Sequence, residues 1–223
     1  MAIRERKAAK TKLALLDAAM ELMIQRPFEE VTVAQICDVA EVSYATFFNY
    51  FGRKEDLLLY FVQLWSVEMA HLAANAGGGR AGIERLFGYT AAQCERSPEI
   101  MEEIISFLAK RQNVVKLSIK PLTEMEKRLR FPGIEHFDEL ADTGMRAVLP
   151  PLIRQAIQSG QLPEDTDEFE VLLALAAIFM GAPVALAQSR MEGLGQAYRR
   201  QLSLLWGGLC AENDEHKDRR RGK

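Results

Sequence analysis

The sequence is poor in the residues that build metal sites and disulfide frameworks. It has three cysteines and three histidines in 223 residues, and no Cys-x-x-Cys pair or Cys/His cluster occurs. The widely spaced thiols of Cys37, Cys94 and Cys210 are typical of a reducing compartment, which favours the cytoplasm. We therefore predict no metal and no cofactor.

Long apolar segments and strong basicity are lacking too. The longest stretch without a polar side chain, 171–187, has 17 residues and contains Gly181 and Pro183, whereas a membrane-spanning helix needs about 20 apolar residues. The charged start of the chain does not resemble a signal-peptide core. A net charge of -3, from 28 basic and 31 acidic residues, excludes DNA coating by bulk charge but permits a local basic patch.

Motifs of common enzyme classes are missing as well. The segment 77–80 (Gly-Gly-Gly-Arg) lacks the Lys-Ser/Thr ending of a phosphate-binding loop. No serine elbow and no Cys/His nucleophile signature occurs. We therefore predict that the protein is not an enzyme.

The apolar residues recur at helical spacing along almost the whole chain, which predicts an all-α protein. Pro27 ends the first helix, and Pro150-Pro151 are expected to kink or split another. After the first helix, the pattern predicts helices over 33–40, 44–51, 54–75, 81–95, 98–112, 114–130, 137–159, 167–188 and 194–210. We predict three regions: 1–53, a helix-turn-helix domain; 54–211, a larger helical ligand-binding and dimerisation domain; and 212–223, a charged flexible tail.

Residues 32–51 follow the plan of two short helices joined by a three-residue turn. Thr32 and Gln35 have the spacing of a capping box, and Ser43 is a good cap for the second helix. The small residue Cys37 and apolar neighbours such as Phe47 can seal the corner between the helices. In a helix-turn-helix the second helix enters the major groove.

The exposed side of that second helix carries groups suited to DNA. Hydroxyls, a methyl group and an amide can contact phosphates and base edges, and a lysine after the turn could hold a phosphate. The candidate DNA-binding residues are Thr32, Ser43, Tyr44, Ala45, Thr46, Asn49, Tyr50 and Lys54.

The segment 32–57, TVAQICDVAEVSYATFFNYFGRKEDL, resembles the DNA-binding domain of the TetR family of bacterial transcriptional regulators. The sharp part of the resemblance covers roughly residues 10–60. It implies a homodimer in which each subunit has a three-helix DNA-binding head and a larger helical body. It also implies that the last two helices form a four-helix dimer interface and that a small molecule bound in the body releases the DNA.

Three positions depart from the family pattern. Glu41 occupies a turn position that glycine commonly holds, which costs about 1 kcal/mol if the backbone there has positive φ. Phe48 stands where the family often has tyrosine, so the resemblance implies the loss of one phosphate hydrogen bond, which Tyr50 could partly replace. Arg53 replaces a small capping residue and adds a charge near the DNA.

The body offers candidates for two further sites. Apolar and small residues on the last two helices predict a dimer interface of Leu175, Phe179, Ala185, Tyr198, Leu202, Leu205 and Trp206. Aromatic and methionine side chains are more often core than pocket lining, and polar anchors are fewer still. The candidates for ligand binding are Trp65, Phe107, Arg111, Phe131, His136, Phe137, Met145 and Phe179.

The sequence therefore predicts a cytoplasmic, ligand-responsive regulator, a repressor that binds a near-palindromic operator as a dimer. Its partners are double-stranded operator DNA, a second copy of the chain and a small-molecule effector with an apolar part, without a membrane. Five basic residues against one acidic residue in 1–12 place positive charge at the start of the presumed head. The alternative is a helical small-molecule binding module that has lost specific DNA binding.

Overall fold

A computed structural model describes residues 2–75, 77–110, 120–134, 137 and 144–221. These residues form ten α-helices and no strand, which confirms the all-α prediction. The helices are α1 (Ala2–Gln25), α2 (Val33–Val39), α3 (Tyr44–Tyr50), α4 (Asp56–Ala74), α5 (Gly79–Arg96), α6 (Pro98–Lys110), α7 (Glu124–Arg130), α8 (Met145–Gln158), α9 (Glu168–Ala185) and α10 (Leu194–Arg221).

The chain divides into two compact units. The first consists of Met1–Glu68 and Glu99–Gly144, and the second of Met69–Pro98 and Met145–Lys223. The division between them falls inside α4. The domain boundaries predicted at 53/54 and 211/212 stay a prediction, but α10 continues as helix to Arg221, through most of the segment predicted as a flexible tail.

The first unit has a core built around its N-terminal helices. Apolar side chains of α1, α2, α3 and α4 meet in one buried cluster that includes Leu16, Ile36, Phe47 and Leu57, each at most 1% exposed. Three partly buried side chains in and beside α7 pack against the same cluster: Leu122 before the helix, Leu129 on it and Phe131 after it. The helix-turn-helix segment is therefore held from behind by α1, α4 and α7.

The second unit packs α5 against α8 and α10, and α9 against α8 and α10. Gly82 marks a close approach of α5 to α8, because a Cβ at this position would lie 2.9 Å from the Cδ2 of Leu152. Tyr198 is buried between elements: its ring lies 4.9 Å from that of Phe87, and its hydroxyl donates to the Phe179 carbonyl at 2.8 Å.

Two predicted helices begin later than expected, and the second of them is not split. The helix predicted from 114 starts only at Glu124, because Thr123 and Glu126 form a capping box, while 111–119 lie outside the described residues. The helix predicted from 137 begins at Met145. Pro150 and Pro151 lie inside that helix without dividing it, so of the two expected effects the split is wrong and the kink stays a prediction.

Two described helices, α4 and α9, are long and apolar enough to cross a membrane by length and composition. In α4, 61% of the apolar window is buried within the protein, as in the core helix of a soluble domain. In α9 the buried share is only 22%. Much of the α9 surface is therefore both apolar and exposed.

Candidate nucleic-acid interface

The capping box predicted at Thr32 is present at the start of α2. The amide of Gln35 donates to Thr32 Oγ1 at 3.2 Å, and the amide of Thr32 donates to Gln35 Oε1 at 2.9 Å. The Thr32 hydroxyl is therefore engaged in holding the end of α2. Any DNA contact of Thr32 would add to this local role.

The turn between α2 and α3 has the backbone conformation that the Glu41 departure suggested. Glu41 has a φ of 54°, in the left-handed region. The amide of Val42 donates back to the Cys37 carbonyl at 2.9 Å, which closes the end of α2. Burial, followed by the nearby Asp38 carboxylate, raises the pKa of the Cys37 thiol, so this side chain serves as a small neutral residue at the corner.

The second helix begins with a hydroxyl cap. The amide of Thr46 donates to Ser43 Oγ at 3.1 Å, and the hydroxyls of these two residues lie 2.8 Å apart. Phe47 is fully buried beneath the helix. The opposite side presents Ala45 and Asn49 to solvent, with Tyr44, Phe48 and Tyr50 exposed beside them.

Lys54 is engaged with the protein itself. Its Nζ donates to the carbonyl oxygens of Phe28 at 2.6 Å, Glu29 at 3.2 Å and Val31 at 2.7 Å. It also lies 4.6 Å from the centre of the Phe28 ring. These bonds use the three donors of the ammonium, so the phosphate contact predicted for Lys54 would require some of them to break.

Arg53 precedes α4 without capping it through its side chain. Instead, Asp56 Oδ2 accepts the backbone amide of Arg53 at 3.0 Å, so the carboxylate three residues later provides the cap. The Arg53 guanidinium lies 3.6 Å from the same carboxylate. Asp56 therefore provides the cap at the start of α4 that the sequence appeared to lack at Arg53.

Residues 15–61, from the middle of α1 to the first turns of α4, match the family model described as bacterial regulatory proteins of the tetR family. This segment of the chain is a TetR-family DNA-binding domain. The chain is 36% identical over 72 residues to the HTH-type transcriptional regulator TcmR of Streptomyces glaucescens. That match spans 32% of this chain and 31% of TcmR.

Solved structures extend the fold similarity to the rest of the chain. FadR from Bacillus subtilis, in complex with stearoyl-CoA, has a TM-score of 0.60 at 16% identity, over 88% of this chain and 98% of that one. Thermus thermophilus FadR, a TetR-family repressor in complex with lauroyl-CoA, has a TM-score of 0.57 at 23% identity, over 87% of this chain and 92% of that one. The head and the helical body thus share the family's fold.

The TetR-family head also contains a docking contact that local sequence patterns did not reveal. Lys12 of α1 forms an ion pair with Glu126 of α7, and both side chains are largely buried. The Lys12 ammonium also lies 4.4 Å from the centre of the Tyr60 ring. Nearer the surface, Arg130 Nη1 lies 3.0 Å from Asp17 Oδ1. The Thr123-x-x-Glu126 spacing was the one available signal.

The predicted ligand-binding residues fall in both compact units. Trp65, Phe107, Phe131 and Phe137 belong to the first unit, and Met145 and Phe179 to the second. Arg111 and His136 lie outside the described residues. In the first unit, the Phe131 and Phe137 rings are 6.3 Å apart. A shared ligand site for these residues stays a prediction.

A groove of about 500 Å³ lies in the first unit, beside the end of α1 and along α6. It is acidic, with four glutamates, and includes none of the predicted ligand-binding residues. Its lining consists of Met23, Ile24, Gln25, Arg26, Pro27, Glu29, Glu99, Glu102, Glu103 and Ser106.

The predicted dimer residues do not share one surface. Leu175, Tyr198, Leu202 and Trp206 are at most 2% exposed because they pack inside the second unit. Phe179 and Leu205 are half-buried, and Ala185 is exposed. The large apolar side chains left exposed on α9 and α10 are instead Phe169, Leu173, Val184 and Leu204.

Proposed function

We propose that this TetR-family chain is a ligand-responsive transcriptional repressor that binds a near-palindromic operator as a homodimer. A small-molecule effector bound in the helical body would release it from DNA. The observation that carries the proposal is the geometry of α2 and α3. The buried corner of Ile36, Cys37 and Phe47 fixes α3 so that Ala45 and Asn49 point outward.

This geometry suits direct reading of the major groove. Asn49 can form paired hydrogen bonds with adenine, and the Ala45 methyl can contact a thymine methyl. Positive charge for the phosphates lies on the first turns of α1, where Arg4, Arg6 and Lys7 are exposed. Two such heads would occupy successive major grooves about 34–36 Å apart.

Footprinting on the DNA upstream of the protein's own gene tests the proposal. We expect a protected, near-palindromic segment whose affinity falls steeply with salt, since bound phosphates release counterions. Absence of any duplex bound above the nonspecific background, there or in a selection from random duplexes, would favour the alternative of a binding module that no longer reads DNA.

A double substitution tests the assigned DNA-reading residues. Tyr44→Ala with Asn49→Ala should preserve folding and dimerisation, because both side chains are exposed, while operator selectivity drops to the nonspecific level. Binding is measured by gel shift with operator and scrambled duplexes. Glu164→Gln, at an exposed loop position of the second unit, is the control. Unchanged selectivity in the double variant would remove these residues from the site.

The effector is proposed to have a long apolar part. The solved FadR relatives are complexes with lauroyl-CoA and stearoyl-CoA, and the body here is rich in aromatic and aliphatic side chains. Mass spectrometry of small molecules retained through native purification would identify a candidate. Addition of that candidate should then release operator DNA in a gel shift.

The dimer is proposed to form through the exposed apolar faces of α9 and α10. Phe169, Leu173 and Val184 on α9 and Leu204 on α10 remain uncovered in the protomer. A self-complementary patch of this kind is how two-fold dimers form. Small exposed residues, Ala177 and Gly181 on α9 and Gly207 and Gly208 on α10, would let helix backbones approach closely.

A further inference from the structure

The recognition helix α3 presents two aromatic rings to solvent side by side. Tyr44 is 58% exposed and Phe48 is 44% exposed. Their ring centres lie 4.9 Å apart at an interplanar angle of 58°. Phe48 also contacts the buried Phe47 ring in an edge-to-face arrangement, with the ring centres 5.2 Å apart. Phe48 is therefore an exposed ring held in a defined place.

Helix stability accounts for little of this arrangement. Two apolar side chains four residues apart on a helix stabilise it only weakly. The pair continues the surface formed by Ala45, one helical position from Tyr44. Together Tyr44, Ala45 and Phe48 form an apolar edge beside the Asn49 amide, which we call the aromatic edge.

The composition of α3 restricts which bases it can recognise. No charged residue occurs from Val42 to Gly52. The common charged contacts, arginine or lysine with guanine and carboxylates with cytosine, are therefore unavailable to this helix. What remains are the Asn49 amide, which suits adenine, the hydroxyls, and apolar surface, which suits the thymine methyl.

We propose that the aromatic edge, with Phe48 as its specificity-determining residue, reads thymine C5-methyl groups in an A·T-rich half-site. This inference rests on the proposed DNA-binding function and gives it a base preference. It also assigns a role to Phe48, which lacks the hydroxyl of the tyrosine that is frequent in the family at this position. The apolar phenyl ring of Phe48 suits contact with a thymine C5-methyl group.

Replacement of thymine by deoxyuridine tests the proposal, because it removes the methyl group and leaves base pairing unchanged. The operator is first obtained by selection from random duplexes with the wild-type protein. Each thymine of one half-site, and then of both, is replaced in turn, and the Kd is measured. We expect a loss of about fourfold for each buried methyl, and about fifteenfold when both half-sites are changed.

Variants of Phe48 connect the effect to this residue. Phe48→Ala should bind the thymine operator more weakly but show no further loss at the sensitive deoxyuridine positions. Phe48→Tyr retains the ring and should retain the sensitivity. Ile24→Ala, which removes an exposed apolar side chain from α1, should match the wild type. Circular dichroism and thermal melting confirm that each variant is folded.

The outcomes separate this inference from the function on which it rests. If a duplex is selected and bound, but no deoxyuridine position weakens binding, the aromatic edge does not read methyl groups. The same holds if Phe48→Ala remains as sensitive as the wild type. If no duplex is selected above the nonspecific background, the proposed DNA-binding function fails, and the inference falls with it.

Discussion

At the scale of single residues, Lys54 shows how a motif residue can have a different primary role from the expected one. Its ammonium bonds three carbonyls of the segment between α1 and α2. A hydrogen bond from a charged group typically contributes about 1.5–3 kcal/mol to the free energy of unfolding. We therefore expect Lys54 to position the start of α2 rather than to neutralise a phosphate.

Lys54→Met tests this role, because methionine retains the apolar stem over Phe28 and removes the ammonium. The variant should lose about 2 kcal/mol of unfolding free energy, while the salt dependence of operator binding keeps its slope. Lys10→Met, at an exposed position of α1, is the comparison, because removal of a lysine that binds phosphate makes the slope shallower by about 0.9. If Lys54→Met is as stable as the wild type and its binding depends less steeply on salt, then Lys54 contacts a phosphate after all.

Glu41 carries a second residue-scale prediction. Its left-handed φ of 54° costs a residue with a Cβ roughly 1–2 kcal/mol, and glycine recovers most of this despite its greater freedom when unfolded. Glu41→Gly should therefore raise the unfolding free energy by about 1 kcal/mol, measured by denaturant unfolding. Glu41→Ala retains the Cβ and should give no such gain. Equal effects of the two substitutions would place the cause in the glutamate side chain instead.

At the scale of elements, the docking of α7 on α1 depends on the Lys12–Glu126 pair. Burial alone would raise the pKa of Glu126, but the bonds from Lys12 and Thr123 outweigh burial and lower the pKa below its ordinary value of 4.5. A lowered pKa in the folded state means that the carboxylate stabilises the fold above the ordinary value. That contribution is lost as the pH falls through the folded pKa.

Glu126→Gln should cost about 3 kcal/mol of unfolding free energy at neutral pH, because it leaves a largely buried ammonium without its counterion. Its stability should also decline less than that of the wild type as the pH falls below 4.5. Thermal melts over a pH series measure both effects. Lys12→Met combined with Glu126→Leu should recover most of the loss. If the stability of the wild type and of Glu126→Gln falls equally as the pH is lowered, the acid sensitivity belongs to other carboxylates.

Elements also show where prediction from sequence succeeded and why it stopped. The caps at Thr32 and Ser43 and the buried Phe47 follow from spacings of three or four residues, which local patterns contain. Lys12 and Glu126 are distant in sequence, so only the packed fold brings them together. The start of α7 at Glu124 was missed because helical spacing outweighed the local cap at Thr123.

At the scale of the whole molecule, helical periodicity alone was insufficient to identify the surface that we propose for the dimer. Helix α9 is apolar on most of its circumference, so the pattern cannot tell the side that packs inward from the side that meets a partner. The expected interface residues Leu175, Tyr198, Leu202 and Trp206 are buried in the protomer. The exposed set, including Leu173 and Leu204, became identifiable only once the inward side was known.

Leu173→Glu with Leu204→Glu should convert a dimer to a monomer without unfolding it. Both leucines are more than half exposed in the protomer, and charges there would be buried unpaired on association. Sedimentation velocity measures the mass, and circular dichroism the helix content. Glu170→Gln on the exposed surface of α9 is the control. A double variant that remains dimeric would place the interface elsewhere.

The absence of charge on the recognition helix has a consequence for the kinetics of target search. Long-range attraction to DNA would come from the basic first turns of α1, so these residues set the association rate and the residence on random sequence. The uncharged α3 contributes only at contact distance, and therefore acts on the dissociation rate. Operator and random DNA should then weaken almost in parallel as salt rises, so that discrimination between them is nearly independent of ionic strength.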